Sequence, residues 1–184
     1  MKKYEFTGET KTINLSSRTV TLHRIKAVVE FGLVKVGELG GWIEKEENLS
    51  HKGDAWVSGD AVVRENAEVS GNAVVSGDAV VRENAWVRGN AVVSENAVVR
   101  GNAVVSENAE VFSVRHVLVI GPIGSRNAFT TFYHDKDNEI TVQCGCFIGK
   151  IDKFLKKVTQ THCDSKYALV YRAAVEVARL QIEL

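Results

Sequence analysis

From Gly53 to Phe112 the chain reads GDAWVS GDAVVR ENAEVS GNAVVS GDAVVR ENAWVR GNAVVS ENAVVR GNAVVS ENAEVF, ten six-residue units without an insertion. Spacing this strict leaves a solenoid or a disordered tract, and the apolar positions separate the two. Every unit has Ala at its third place and Val at its fifth. In an extended segment residues two apart point to the same side, so each unit offers one small and one branched side chain to an interior. The Gly/Glu and Asn/Asp pair that opens each unit is turn chemistry, suited to corners and left-handed dihedrals. Short strands alternating with corners make a β-helix, whose backbone hydrogen bonds run between stacked coils.

With these residues in view, the segment resembles the hexapeptide repeat of left-handed parallel β-helices, in which three units form one triangular coil. That handedness is an exception to the right-handed crossover rule. Gly41–Lys52 fits the spacing poorly and is assigned to an opening coil, giving a prism about 19 Å tall at about 4.8 Å per strand. The expected division is 1–40 as an N-terminal β cap, 41–112 as the left-handed β-helix, and 113–184 as a C-terminal α+β (β3α2) domain.

Three units per coil sort the outward residues by face. Val62, Val80 and Val98 stack on one, above Glu44; Trp56, Val74, Val92 and Glu110 on the second; Glu68, Trp86 and Val104 on the third. Arg64, Arg82 and Arg100 align beside the all-Val face, with Glu65 and Glu83 at neighbouring corners to offset their repulsion. An outward Val ladder is unusual for a solvated surface. Val62, Val80, Val98, Arg64, Arg82 and Arg100 are therefore read as a homo-oligomer interface, and the family resemblance implies a trimer. The alternative is that the chain's own ends fold over this face.

Many hexapeptide-repeat proteins are CoA-dependent acyltransferases, which use a loop leaving the helix and a His as general base. Residues 53–112 have neither a loop nor any His, Cys, Lys or Tyr, so His51 and His116 at the two ends are the only candidate bases. The three-His metal site of the carbonic-anhydrase branch has no counterpart in the repeat. No cofactor, no metal and no enzymatic activity are expected, with a divergent acyltransferase as the enzymatic alternative.

Overall neutrality, 23 basic against 23 acidic residues, removes the electrostatic case for a nucleic-acid polymer. No apolar run suits a membrane span and no export signal opens the chain. Three cysteines suit a reducing compartment, and a cytoplasmic location is expected. The zero conceals a division, however: by segment the charge is +2 over 1–52, −5 over 53–112 and +3 over 113–184.

The N-terminal segment offers strand-like runs at Lys3–Phe6, Thr12–Leu15, Thr19–Val28 and Phe31–Val36, with turns at FTGET and NLSSR. His23 is read as a cap residue. Beyond the repeat, Arg115–Ile120, Ala128–Tyr133 and Ile140–Cys144 read as strands, and Lys150–Gln160 as a helix with Ile151, Phe154, Leu155 and Val158 on one stripe. Asp164 is placed to cap a second helix running to Leu184. That helix carries the charged stripe Arg172, Glu176, Arg179, Glu183. Its wide apolar arc (Leu169, Val170, Ala174, Val177, Leu180) predicts packing on more than one neighbour.

The loop GPIGSRN supplies backbone N–H groups and Ser, Arg and Asn donors suited to an anion such as phosphate. The site prediction is Ser125, Arg126, Asn127 and Thr131, with His162, Tyr167 and Tyr171 as the opposite wall. Cys144, Cys146, His162 and Cys163 are read either as a zinc or nucleophile cluster or as structural residues, Cys144 and Cys146 sharing one strand face. Across nearly its full length (KYEFTGET, GELGGWIEKEENLS, the repeat, GSRNAFTTFY, CGCFIGK) the chain also resembles small phage and prophage proteins. That resemblance implies a non-enzymatic binding protein that takes up a small anionic ligand such as a nucleotide signal, or a host protein, to antagonise host defence. A purely structural assembly protein is the alternative.

Overall fold

The computed structural model describes residues 2–16 and 18–184. All ten repeat alanines, Ala55 to Ala109, and all ten fifth-place valines, Val57 to Val111, are at most 1% exposed. They form one continuous core column, as their two-residue spacing predicts.

The elements in chain order begin with β1 (Tyr4–Asn14), β2 (Thr19–Ala27) and β3 (Leu39–Ile43). Ten two-residue strands follow: β4 (Trp56–Val57), β5 (Val62–Val63), β6 (Glu68–Val69), β7 (Val74–Val75), β8 (Val80–Val81), β9 (Trp86–Val87), β10 (Val92–Val93), β11 (Val98–Val99), β12 (Val104–Val105) and β13 (Glu110–Val111). They stack as a β-helix of about four coils with three parallel faces. The first face is β3-β5-β8-β11, the second β4-β7-β10-β13, and the third β6-β9-β12 with Leu49 bridged beneath Val69. Above the opening coil the outward ladders run as the spacing predicts, Val62↔Val80↔Val98 among them. The opening coil itself departs: Trp42, not Glu44, lies beneath Val62, because the side from Leu49 to Val57 is two residues longer than a hexad.

Every corner begins with a left-handed residue. Six are glycines, and four are glutamates: Glu65, Glu83, Glu95 and Glu107, with φ between 54° and 65°. A side chain in that region costs about 1–2 kcal/mol, and two of the glutamates offset it. Glu65 N–H donates to the Glu44 carboxylate (2.6 Å), Glu83 N–H to Glu65 (2.7 Å) and Gly101 N–H to Glu83 (2.9 Å). Arg64 pairs with Glu65 and Arg82 with Glu83. Burial works against ionisation of Glu44, yet the Glu65 N–H and Arg18 hold its carboxyl below the usual range. Asn side chains form ladders on this corner, Asn66–Asn84–Asn102, and on a second, Asn72–Asn90–Asn108.

The N-terminal strands form an antiparallel hairpin that joins the first face beside β3. FTGET is a bulge inside β1 rather than a turn, and Phe31–Val36 is a turn closed by one bridge between Phe31 and Val34. Ile25, Ala27 and Tyr4 floor the helix core. Val20 and Leu22, further along the hairpin, lie on Trp42 and Val62 outside it.

The C-terminal part is a four-stranded antiparallel sheet, β14 (Val117–Ile123), β15 (Ala128–His134), β16 (Ile140–Cys144) and β17 (Phe147–Lys150), followed by α1 (Ile151–His162) and α2 (Lys166–Gln181). The fourth strand corrects the β3α2 expectation. Gly145 and Cys146 form a two-residue hairpin turn, so Cys146 sits at the turn and shares no strand face with Cys144. Ser165, not Asp164, stands at the start of α2, and Asp164 instead lies 3.5 Å from Arg172. One face of α2 packs on the sheet and α1 through Ala168, Tyr171, Val175 and Ala178. The opposite face, Leu169, Ala173, Val177 and Leu180, is left exposed, and Leu180 is 89% exposed. No helix among the described residues is long and apolar enough to cross a membrane.

The corner chemistry separates two otherwise identical substitutions. Glu95 makes no side-chain bond among the described residues, so Glu95→Gly relieves its backbone and raises stability by a few tenths to about 1 kcal/mol. Glu65→Gly strands the buried Arg64 and the Glu83 N–H, and lowers stability by about 2 kcal/mol or more. Denaturant melts of the two variants beside wild type give the opposite signs directly.

Candidate functional site

The C-terminal sheet has two chemically different faces because its strands alternate. Val117, Val119 and Tyr133 turn toward the β-helix core, while Leu118, Ile120, Phe132 and Val142 turn toward the helices. The first face closes the upper end of the β-helix with polar contacts at the rim. Val104 N–H donates to Thr131 Oγ1 (3.0 Å), Lys136 N–H to the Asn108 carbonyl (3.1 Å), and His134 Nδ1 lies 2.8 Å from the Glu110 carbonyl. Asp135, buried beside this junction, accepts from Lys150 Nζ (2.6 Å), Asp137 N–H (3.0 Å) and the Thr141 hydroxyl. Burial opposes its ionisation, but these donors hold its carboxyl below the usual range.

On the helix side the β14–β15 hairpin and the two helices enclose a pocket of about 210 Å³. Its lining includes Ser125, Arg126, Cys144, Lys157, His162 and Tyr171. Four of the residues predicted from sequence are thus brought together: Ser125, Arg126, His162 and Tyr171. The hairpin sits directly on the tyrosine, since a Cβ on Gly124 would fall 1.9 Å from the Tyr171 hydroxyl. The His162 ring stacks on Tyr171 with centroids 5.7 Å apart. Burial pushes the Tyr171 hydroxyl up to about 12, helped by Cys144 and opposed by Arg126. The phenol is therefore a neutral donor at neutral pH.

The other three predicted residues do not line the pocket. Thr131 is 1% exposed on the opposite face of its strand, where it serves the β-helix rim. Asn127 is an exposed turn residue with φ 48°, its N–H closing the hairpin on the Gly124 carbonyl (3.4 Å). Tyr167 stands beside His162, with centroids 6.0 Å apart. Sequence reasoning missed Lys157 and Thr161, which the helical four-residue repeat places on one flank of α1, next to the buried stripe Phe154 and Val158.

The cysteines do not gather. Cys144 accepts from the Thr130 hydroxyl (3.3 Å) at the pocket floor, while Cys146 and Cys163 are exposed. Among the described residues no three His, Cys, Asp or Glu are grouped as metal ligands. His51 is stacked on Tyr4, and its Nδ1 accepts from Lys3 N–H (3.3 Å). His116 Nδ1 accepts from Phe112 N–H (3.3 Å), and its ring lies against His134. Burial lowers the pKa of both. His23 is stacked on Phe6 in the hairpin.

The expected oligomer face is partly occupied by the chain itself. Val62 and Arg64 are each only 7% exposed; Val20 and Leu22 lie on Val62, and Glu65 pairs with Arg64. These two residues are internal contacts rather than surface. Val80, Val98, Arg82 and Arg100 remain at least partly exposed.

A structural Thr131 differs measurably from a ligand-binding one. Thr131→Val leaves the Val104 N–H without its acceptor beside a buried strand and lowers stability by about 1–3 kcal/mol. Anion binding at the Arg126 pocket stays as in wild type, and a titration of both proteins reads the two effects separately. Compared with known proteins, the chain matches no family model, and no curated protein is detectably similar to it in sequence.

Proposed function

We propose that this is a non-enzymatic, homo-oligomeric binding protein of phage or prophage type, whose C-terminal cap takes up a small anionic group. The observation that carries the reading is the convergence of Arg126 from the β14–β15 hairpin with Lys157 and His162 from α1, beside the Ser125 and Tyr171 hydroxyls. Two fixed cations and several donors, with no carboxylate in the lining, favour an anion. The size narrows the class. About 210 Å³ is below the roughly 300–1,000 Å³ of sites that enclose drug-sized ligands. A phosphate-sized group fits inside, with the remainder of a nucleotide or phosphorylated protein left outside. The resemblance to phage proteins supports a use against the host, by withholding an anionic signal or masking a host protein.

Self-association is then built on the outer face of α2. Two copies packed antiparallel about Val177 set Ala173 against the partner's Leu180. The same register sets Glu176 against the partner's Arg179. The apolar stripe and the charged flank are both self-complementary, which suits a two-fold interface.

Inorganic phosphate, pyrophosphate and nucleoside mono- and diphosphates at millimolar concentration are expected to raise the melting temperature, and Arg126→Ala with Lys157→Ala to abolish the rise. A rise that survives both substitutions places the anion elsewhere and sinks the pocket assignment. For the α2 interface, Leu169→Glu with Leu180→Glu is expected to halve the mass seen by light scattering. A monomeric wild type at high micromolar concentration overturns it.

A further inference from the structure

We propose that the groove between β11 and β14 binds an extended segment of a partner protein, laid parallel to β11 in the place of a further coil and holding an acidic side chain against Arg100. The site is separate from the anion pocket and does not depend on it.

The first observation is an open strand edge. In each lower coil of the first face the amides are taken up by the coil above: Val62 N–H by the Ala79 carbonyl, Val80 N–H by Ala97, Arg82 N–H by Val99. β11 is the last strand of that face, and Val98 and Arg100 N–H find no acceptor among the described residues. The other two faces end differently. Thr131 takes the Val104 N–H on the third, and His134 and Asp135 meet Glu110 and Ala109 on the second. The space over the β11 corner is also empty of backbone. A Cβ built on Gly59, Gly77 or Gly89 meets the next coil's backbone within 3.2 Å, whereas one on Gly101 meets only the Glu83 carboxylate, at 3.9 Å.

The second observation is an interrupted charge ladder. Arg64 and Arg82 are each followed by a corner glutamate that pairs with them, but Arg100 is followed by Gly101. Arg100 is exposed and has no acidic partner among the described residues. A carboxylate reaching down from the added strand meets Arg100 from the side that Glu65 and Glu83 fill, from their own coils, for Arg64 and Arg82.

The groove supplies the remaining contacts. It measures about 750 Å³, and its apolar lining includes Val98, Val114, Val117, Val119 and Phe129, with Val114 58% exposed. Its far wall is β14, itself an edge strand. Addition of a strand to an exposed edge takes affinity from main-chain bonds and specificity from alternate side chains. Here the specificity is one acidic residue flanked by aliphatic ones.

The probe is the blocked hexapeptide VVAENA, the repeat unit beginning at Val62 with its arginine changed to alanine, compared with VVAQNA. Calorimetric titration of the full chain is expected to give three- to tenfold tighter binding of the Glu peptide, weakened by salt. Amide NMR shifts are expected at Val98 and Arg100. Arg100→Gln equalises the two peptides. Gly101→Glu supplies the carboxylate in cis at a backbone angle that Glu65 and Glu83 already adopt, so the variant folds and likewise loses the Glu preference. Arg126→Ala leaves the preference intact. Equal binding of both peptides to wild type, shifts confined to other surfaces, or no binding at millimolar peptide would each overturn the proposal.

Discussion

A β-helix coil cannot satisfy its own backbone. Amides at the fourth and sixth places donate to carbonyls in the coil above, so hydrogen bonding and core burial are both shared between neighbours and both fail at the ends. Most of what lies outside residues 53–112 answers that failure. The N-terminal hairpin extends the first face downward and floors the core with Ile25, Ala27 and Tyr4. The C-terminal sheet turns Tyr133, Val117 and Val119 onto the upper end, while Thr131, His134 and Lys136 bind its rim.

The same constraint empties the repeat of chemistry. Its third and fifth places are committed to the core, its first to a left-handed corner, and its second to the turn that follows. Only the outward fourth and sixth places are free to vary, and there the chain uses them for support: Arg64 and Arg82 at sixth places stabilise the strained glutamates that follow. Loops, helices and convergent cations are therefore left to the caps, where strands have ordinary length, and the repeat adds only its exposed edges.

The column of Ala and Val and the inward faces were legible from spacing alone, because residues two apart share a side; the triangular register came from the resemblance to hexapeptide repeats. The caps were less so. FTGET has turn composition, yet β1 absorbs it as a bulge because the hairpin continues on both sides. β17 was hidden because CGC reads as a thiol motif, while its physical content is a two-residue turn. At the site, Ser125, Arg126, His162 and Tyr171 were readable as donors and aromatics on elements that had to meet. Thr131 was misplaced because its neighbours in sequence gave no sign that alternate residues of β15 serve different bodies, the helices on one side and the β-helix rim on the other. The wide apolar arc of α2 was read as packing on more than one neighbour; Ala174 is buried, but Leu169, Val170, Val177 and Leu180 are exposed.

Why the first face alone stays open follows from how the cap is connected. The chain leaves the β-helix after β13, on the second face, and its sheet continues in the order β14-β15-β16-β17. β15 carries the rim contacts to the second and third faces, so the sheet is anchored there through its interior strands. Toward the first face it ends at β14, and closing β11 would require one strand more. The repeat stops in phase with that vacancy: the corner after Arg100 is the first on its edge, counting upward from Glu65, to carry glycine in place of glutamate. Main-chain donors, an arginine without its carboxylate and an apolar wall thus coincide at the point where the cap runs out, and together they define a strand-shaped and acid-selective surface.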